Sequence, residues 1–141
     1  MRIQEESETR QKLAVFGSNF GQLILEKVQS TDKCVKLSTY APSDLRYKAN
    51  FVRLSLRELH DLRNFLDTML KKVDELVETI PANKLTEDET VIENLYIRYM
   101  IRRNRVDTRV TIAMGTGVGV ALQLAEVREL NTILEEVIAG W

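Results

Sequence analysis

The sequence predicts an α+β fold built from two repeats, each an antiparallel β-meander followed by one α-helix. At two places a stretch that alternates apolar and polar residues switches to a period near 3.6, the pattern of a strand that runs into a helix. These stretches, residues 52–62 and 120–130, also align with each other without a gap at an offset of 68 residues.

The repeat covers both the strand and the helix of each copy. Two amphipathic helices can resemble each other by chance, but this match includes the strand before each helix, which favours a duplicated unit. Five residues of the first copy recur unchanged in the second: Val52, Leu54, Leu56, Glu58 and Leu62 become Val120, Leu122, Leu124, Glu126 and Leu130.

Helix-boundary residues indicate where each helix begins and ends. Ser55 and Glu58 have the spacing of a capping box, so we expect the first helix over residues 56–80, ending before Pro81. The second helix is expected over residues 124–139, with Gln123 as a poorer cap.

Strand-like segments precede each helix. In the first half they are residues 13–16, 22–29, 34–40 and 47–54, and in the second half residues 95–102, 105–114 and 117–122. Arg103 and Asn104 are the expected hairpin turn. The second half therefore has three clear strands, unless residues 89–93 supply a fourth.

The domain organisation follows from these elements. We expect a flexible N-terminal segment over residues 1–12 and a single domain over residues 13–141. Its two repeats, 13–80 and 89–141, are joined by a polar, acidic linker over residues 82–90.

Composition argues against several classes of protein. Lys and Arg total 20 against 21 Asp and Glu, a net charge of −1, so the chain is not a uniformly basic nucleic-acid coat. One cysteine and one histidine are too few for a disulfide framework or a zinc site within the chain. The polar, acidic start and the lack of a long apolar run predict a cytoplasmic protein, not secreted and with no membrane partner.

Candidate catalytic motifs are incomplete. The glycine-rich residues 114–119 lack the lysine and the serine or threonine of a phosphate-binding loop. His60 aligns with Arg128 in the repeat, which indicates an ordinary surface position. We therefore expect no enzymatic activity, no cofactor and no metal, and assign no catalytic residue.

The charges are segregated along the chain. Residues 31–54 hold five basic and two acidic residues, and residues 95–122 hold five basic residues and one acidic residue. The rest of the chain has a net negative charge. Strand alternation then gives each sheet an outward face that combines cations with aromatic rings. In the second half this face is expected to carry Tyr96, Arg98, Arg102, Arg105 and Arg109, and in the first half Lys36, Tyr40, Tyr47, Phe51 and Arg53. Lys48, from the same segment, is expected to help hold phosphates.

Cations beside aromatic rings on an open sheet are typical of single-stranded nucleic-acid binding. The cations contact phosphates, and the rings stack on unpaired bases. We interpret the arginines and lysines as phosphate contacts and the four rings as stacking platforms. Basic residues on solvated strands also protect sheet edges, and a partner half or subunit can bury exposed rings, so the pattern leaves a structural role open.

The two strand-to-helix junctions at residues 52–62 and 120–130 carry a family resemblance. The chain resembles the single-stranded-DNA-binding transcription cofactors of the positive-cofactor-four and Whirly type, in which a four-strand-plus-helix unit is dimerised or duplicated. The resemblance implies binding of single strands across the sheets in support of transcription, replication or repair. Phage-encoded single-strand binders that serve an RNA polymerase do comparable work, so the resemblance extends to a phage-encoded protein and implies the cytoplasm of a bacterium or an infected host cell. The lysine-glycine-lysine-alanine stretch of plant Whirly proteins is absent.

The sequence thus predicts a non-catalytic single-stranded DNA-binding cofactor of transcription or replication, with RNA polymerase as a candidate partner. Two alternatives stay open: an RNA-binding protein of the same architecture, and a protein–protein scaffold or assembly factor. The wide apolar stripes of both helices further predict a homo-oligomer.

Overall fold

Eight strands and two α-helices form the part of the chain that the computed structural model describes, residues 9–18, 20–29, 32–44, 49–115 and 119–141. The first half contains β1 (Thr9–Ser18), β2 (Gly21–Gln29), β3 (Val35–Tyr40), β4 (Asn50–Leu54) and α1 (Leu56–Leu76). The second half contains β5 (Thr86–Ile92), β6 (Leu95–Ile101), a short 3₁₀ helix (Arg105–Asp107), β7 (Arg109–Met114), β8 (Val120–Gln123) and α2 (Leu124–Gly140).

Each half forms one four-stranded antiparallel sheet whose strands lie in chain order, β1–β2–β3–β4 and β5–β6–β7–β8. One helix follows each sheet. The predicted α+β fold, with a β-meander and a helix in each of two copies, is confirmed.

The two sheets share their strand register. Leu37 of β3 pairs with Val52 of β4, and Ile112 of β7 pairs with Val120 of β8. Val52 and Val120 are the residues that the offset of 68 aligns. The sequence repeat therefore extends to the pairing of the strands.

Local capping explains where the helices begin. The Ser55 hydroxyl accepts a hydrogen bond from the Glu58 backbone N–H (3.2 Å), and the Glu58 carboxylate accepts one from the Ser55 N–H (2.9 Å). This is the predicted capping box. The first helix ends at Leu76 rather than at residue 80, and turns follow it, in which the Ile80 N–H donates to the Leu76 carbonyl (2.7 Å).

The strand β5 was predicted only as an alternative, over residues 89–93. Residues 86–90, assigned to a linker from their acidic composition, belong to β5 and pair with β6 as the edge of the second sheet. The second half thus has four strands like the first. Charged side chains on an edge strand discourage pairing with another chain. Because β5 is such an edge strand, its composition is as polar and acidic as that of a linker.

The core is continuous across both halves. It contains the inward faces of both sheets and the apolar stripes of both helices. Predicted inward residues such as Leu37, Val52 and Ile97 are buried. The Phe65 ring of α1 packs 5.3 Å from the ring of buried Tyr99 on β6, so the first helix packs against the second sheet.

Candidate nucleic-acid interface

The outer face of the first sheet carries an ordered arrangement of charged side chains. Strand register places Lys12, Glu26, Lys36 and Arg53 in one row across β1, β2, β3 and β4. Lys36 and Arg53 alternate with buried residues, which sets their side chains on the face opposite the core. Glu26 and Lys12 lie directly across from them in the strand register and therefore share that face. Of the charged groups described on this face, three are cations and one is a carboxylate.

An exposed phenylalanine lies among these cations. The Phe51 side chain is 49% exposed, with the Lys36 Nζ atom 4.5 Å and the Arg53 guanidinium carbon 4.9 Å from its ring centroid. Both distances lie within the range of a cation–π interaction. We call Lys36, Phe51 and Arg53 the cation–aromatic cluster.

A second ring lies in the next part of the same face. Tyr40 is 37% exposed and follows Ser38, the residue that pairs with Phe51, by two positions on β3. Tyr40 and Phe51 therefore face outward from neighbouring strands, as predicted. Tyr47 and Lys48, the other two predicted site residues of this half, lie outside the described residues.

On the second sheet, the outer face is close to neutral. Arg98 and Tyr96 face outward as predicted, but both contact glutamates of β5. The Arg98 guanidinium donates to Glu87, with its Nε atom at 3.1 Å, and the Tyr96 hydroxyl donates to Glu89. The hydrogen bond to Glu87 also raises the pKa of Arg98. Two glutamates thus balance Arg98 and Arg109 on this face.

The four arginines predicted to share one strand face are not brought together. The expected strand over residues 105–114 is wrong at its start, because Arg105 belongs to the 3₁₀ helix and β7 begins at Arg109. Arg102 follows the end of β6, and Arg105 forms an ion pair with Glu78 at 3.5 Å. Only Arg98 and Arg109 lie on the sheet.

Hydrogen bonds within the connection explain this correction. The Asn104 side-chain oxygen accepts from the Val106 N–H (2.9 Å), and the Thr108 hydroxyl donates to the Arg102 carbonyl (3.0 Å). These bonds favour a compact turn over an extended strand. Val106, which was predicted to face the core, is consequently 69% exposed.

Phe20 is an exposed aromatic residue that the sequence analysis missed. It is 80% exposed and lines an open groove of about 410 Å³ that reaches Gly119 and, on β8, Ala121. Gly17, near the end of β1, has a φ of +100°, and its N–H donates to Glu126 of α2 (3.0 Å). The sequence signal that could have indicated an exposed ring is an aromatic residue within a short segment of glycine, serine and asparagine.

Comparison with protein-family profiles and with curated protein sequences finds no match to this chain. Within the described ranges, no helix is both long and apolar enough to span a membrane. Searching the same residues finds no group of three or more metal-ligating side chains.

Proposed function

We propose that this protein binds single-stranded DNA on the outer face of its first sheet and acts without catalysis, as a cofactor of transcription or replication. The observation that carries the proposal is the cation–aromatic cluster, in which Lys36 and Arg53 lie against the half-exposed ring of Phe51. Tyr40 extends the same surface by a second ring.

The chemistry of the cluster favours single strands over duplex. An unpaired base stacks on an exposed ring, whereas the bases of a duplex are already stacked on each other. A base on Phe51 brings its flanking phosphates towards Lys36 and Arg53. The cluster therefore offers stacking and charge neutralisation to the same nucleotide.

On the second sheet the proposed role is smaller. Arg109 is exposed and makes no ion pair with any residue that the structure describes, so it is available to a phosphate. Arg98 and Tyr96 would first have to leave the β5 glutamates. We propose that a strand binds mainly to the first sheet and gains less from the second.

Fluorescence polarisation with a labelled oligothymidylate tests the proposal directly. We expect binding to single-stranded DNA that exceeds binding to duplex and weakens as salt rises. Oligouridylate in a parallel titration separates DNA from RNA. Tight binding to RNA alone would replace the DNA proposal, and no binding to any strand would favour a protein scaffold.

Substitution of Phe51 tests the stacking platform. Phe51→Ala should cost about 1–3 kcal/mol of binding free energy, the usual value of one stacked base, while Phe51→Trp should retain binding. Unchanged affinity in the folded alanine variant would contradict a stacking role for this ring.

A charge-removal pair tests the phosphate contacts. Lys36→Gln with Arg53→Gln should make the slope of log affinity against log salt shallower by about 1.4, since each phosphate contact on a single strand contributes about 0.7. Lys71→Gln with Lys84→Gln removes the same charge from exposed positions on and after α1, where Lys71 is 75% exposed, and should leave the slope close to that of the unmodified protein. Equal slopes for the two double variants would indicate a nonspecific charge effect.

A further inference from the structure

A groove lies at the end of the second sheet, away from the cation–aromatic cluster. It has a volume of about 600 Å³ and is lined by Ala82, Arg102, Arg103, Asn104 and Asp107. The first of these belongs to the connection between α1 and β5, and the others to the connection between β6 and β7. This volume lies within the range of small-molecule binding sites.

The backbone on one side of this loop groove is held by hydrogen bonds. The Arg102 N–H donates to the Thr108 hydroxyl (3.1 Å), which in turn donates to the Arg102 carbonyl. The Asp107 N–H donates to the Asn104 carbonyl (3.1 Å). Because Thr108 is fully buried, the loop is anchored to the core while its arginine side chains remain outside.

Two arginines of the groove are available to a ligand. Neither the Arg102 nor the Arg103 guanidinium has a hydrogen bond or an ion pair with the residues that the structure describes. Arg105 differs, since it pairs with Glu78 at 3.5 Å. Asp107 is the one carboxylate among the lining residues described, so the lining carries a net positive charge.

We propose that the loop groove binds a phosphate group through Arg102 and Arg103, as a site separate from the cation–aromatic cluster. The planar guanidinium group matches phosphate oxygens with two parallel hydrogen bonds, which makes arginine well suited to this ligand. The side-chain N–H groups of Asn104 add neutral donors, because its oxygen is already used by the Val106 N–H.

The preferred ligand is a terminal phosphate, either of a nucleotide or of a single strand. A phosphomonoester carries a charge of about −1.5 to −2 at neutral pH, whereas each internal phosphodiester carries about −1. Two unpaired guanidinium groups match the larger charge. The described lining contains no aromatic ring, so the groove recognises the phosphate and not the base.

Two ligand sources require two arms of one experiment. Isothermal titration calorimetry with thymidine 5′-monophosphate, with thymidine as the uncharged control, measures the site without any nucleic-acid strand. Fluorescence polarisation compares oligothymidylates that carry a 5′-phosphate, a 3′-phosphate or two hydroxyl ends. The polarisation measurement with oligothymidylates rests on the proposed function, whereas the calorimetric measurement with the nucleotide does not.

The expected result is nucleotide binding that thymidine does not show, and a gain in affinity of about tenfold for a phosphorylated strand end. Arg102→Gln with Arg103→Gln should abolish both effects. Asp107→Asn should strengthen them, because it removes the carboxylate from the lining. Lys71→Gln with Lys84→Gln is the matched control and should leave both unchanged.

The outcomes separate this inference from the proposed function. Nucleotide binding without oligonucleotide binding would support the groove and contradict the proposed function. Oligonucleotide binding with no preference for a phosphorylated end, together with no nucleotide binding, would overturn the groove alone. Nucleotide binding that survives the loss of both arginines in a folded variant would also overturn it.

Discussion

At the scale of single residues, the outer face of the first sheet depends on which side chains lie opposite each other. Lys36 pairs across strands with Arg53, and both lie against Phe51. Two cations next to each other are unfavourable unless something offsets their repulsion. The electron-rich face of the ring supplies part of that offset, and Glu26 lies directly across from Lys36 on β2.

Asn131 is a polar residue that the core does not satisfy. It is 6% exposed on the buried face of α2, and its side-chain oxygen has no hydrogen-bond partner among the described residues. The repeat aligns it with Arg63, which instead reaches the Glu135 carboxylate at 2.8 Å. A buried acceptor without a partner costs free energy.

Replacement of Asn131 by leucine should therefore stabilise the protein. We expect Asn131→Leu to raise the free energy of unfolding by about 1 kcal/mol, since it removes the unpaired oxygen and adds apolar contact. Urea denaturation measures the change, and Asn131→Asp, which buries a charge instead, should be destabilising. A loss of stability in the leucine variant would show that the amide has a partner in solution.

At the scale of elements, the first hairpin of each half lies at the first turn of the other half's helix. The Glu126 carboxylate of α2 accepts from its own cap residue Gln123 (3.1 Å) and from Gly17 near the end of β1 (3.0 Å). Glu58 of α1 occupies the equivalent position, and its carboxylate lies close to Glu93 of the β5–β6 turn. The Glu126 hydrogen bond therefore joins the start of α2 to the first sheet.

The charge of Glu58 is strongly favoured in the folded protein. Burial acts to raise its pKa, but the hydrogen bonds of the carboxylate with Ser55, Glu93 and Lys33 together outweigh burial and lower the pKa to about 2. The Lys33 Nζ atom lies 3.4 Å from the carboxylate. Glu93, the neighbouring acid, has a raised pKa because of its hydrogen bond to Glu58.

A pH series should reveal this contribution. The folded pKa of Glu58 lies below its usual value of 4.5, so its stabilisation is complete above pH 4.5 and is lost as the pH falls towards 2. Glu58→Gln should cost roughly 1 kcal/mol at neutral pH, the size of a capping interaction, and the deficit should shrink over that window. Urea unfolding at each pH measures it.

Ser55→Ala is the control for the pH series. It removes the hydroxyl acceptor of the capping box and should cost about 1 kcal/mol. Because the Glu58 carboxylate remains in this variant, its stability should still fall as that group becomes protonated. A Glu58→Gln deficit of constant size from neutral to acidic pH would contradict the assigned pKa.

At the scale of the whole molecule, the buried residues of the two halves form one hydrophobic core. Besides the contact of Phe65 with Tyr99, the Lys72 ammonium of α1 donates to the Tyr99 hydroxyl of β6 (2.9 Å). Much of the helix surface that motivated the prediction of a homo-oligomer is buried within the chain by the two sheets. The oligomeric state stays a prediction.

A shared core predicts cooperative unfolding. Leu66→Ala on α1 removes a fully buried side chain and should cost about 2–5 kcal/mol. Hydrogen exchange should then show equal losses of protection in β3 and in β6, although Leu66 belongs to the first half. Loss of protection confined to one sheet would mean that the halves unfold independently.

The sequence predicted much of the fold but less of the candidate site. The capping box at Ser55, the inward residues of β3 and β4, and the outward positions of Phe51 and Arg98 follow from local alternation and were predicted. The full length of β5, which was left open over residues 89–93, and the turn at Arg105 were not. Acidic edge strands lack the apolar alternation that marks a strand, and the turn depends on hydrogen bonds from Asn104 and Thr108.

By itself the sequence determined the two-unit architecture, because the spacing of apolar residues sets which face of a strand or helix is buried. Only the tertiary structure decided which charges meet. Glu87 reaches Arg98 and Glu78 reaches Arg105, while Arg102 and Arg103 are left beside an open groove. Such pairs depend on which elements become neighbours in space, and that is set by the packing of the whole core rather than by any local pattern.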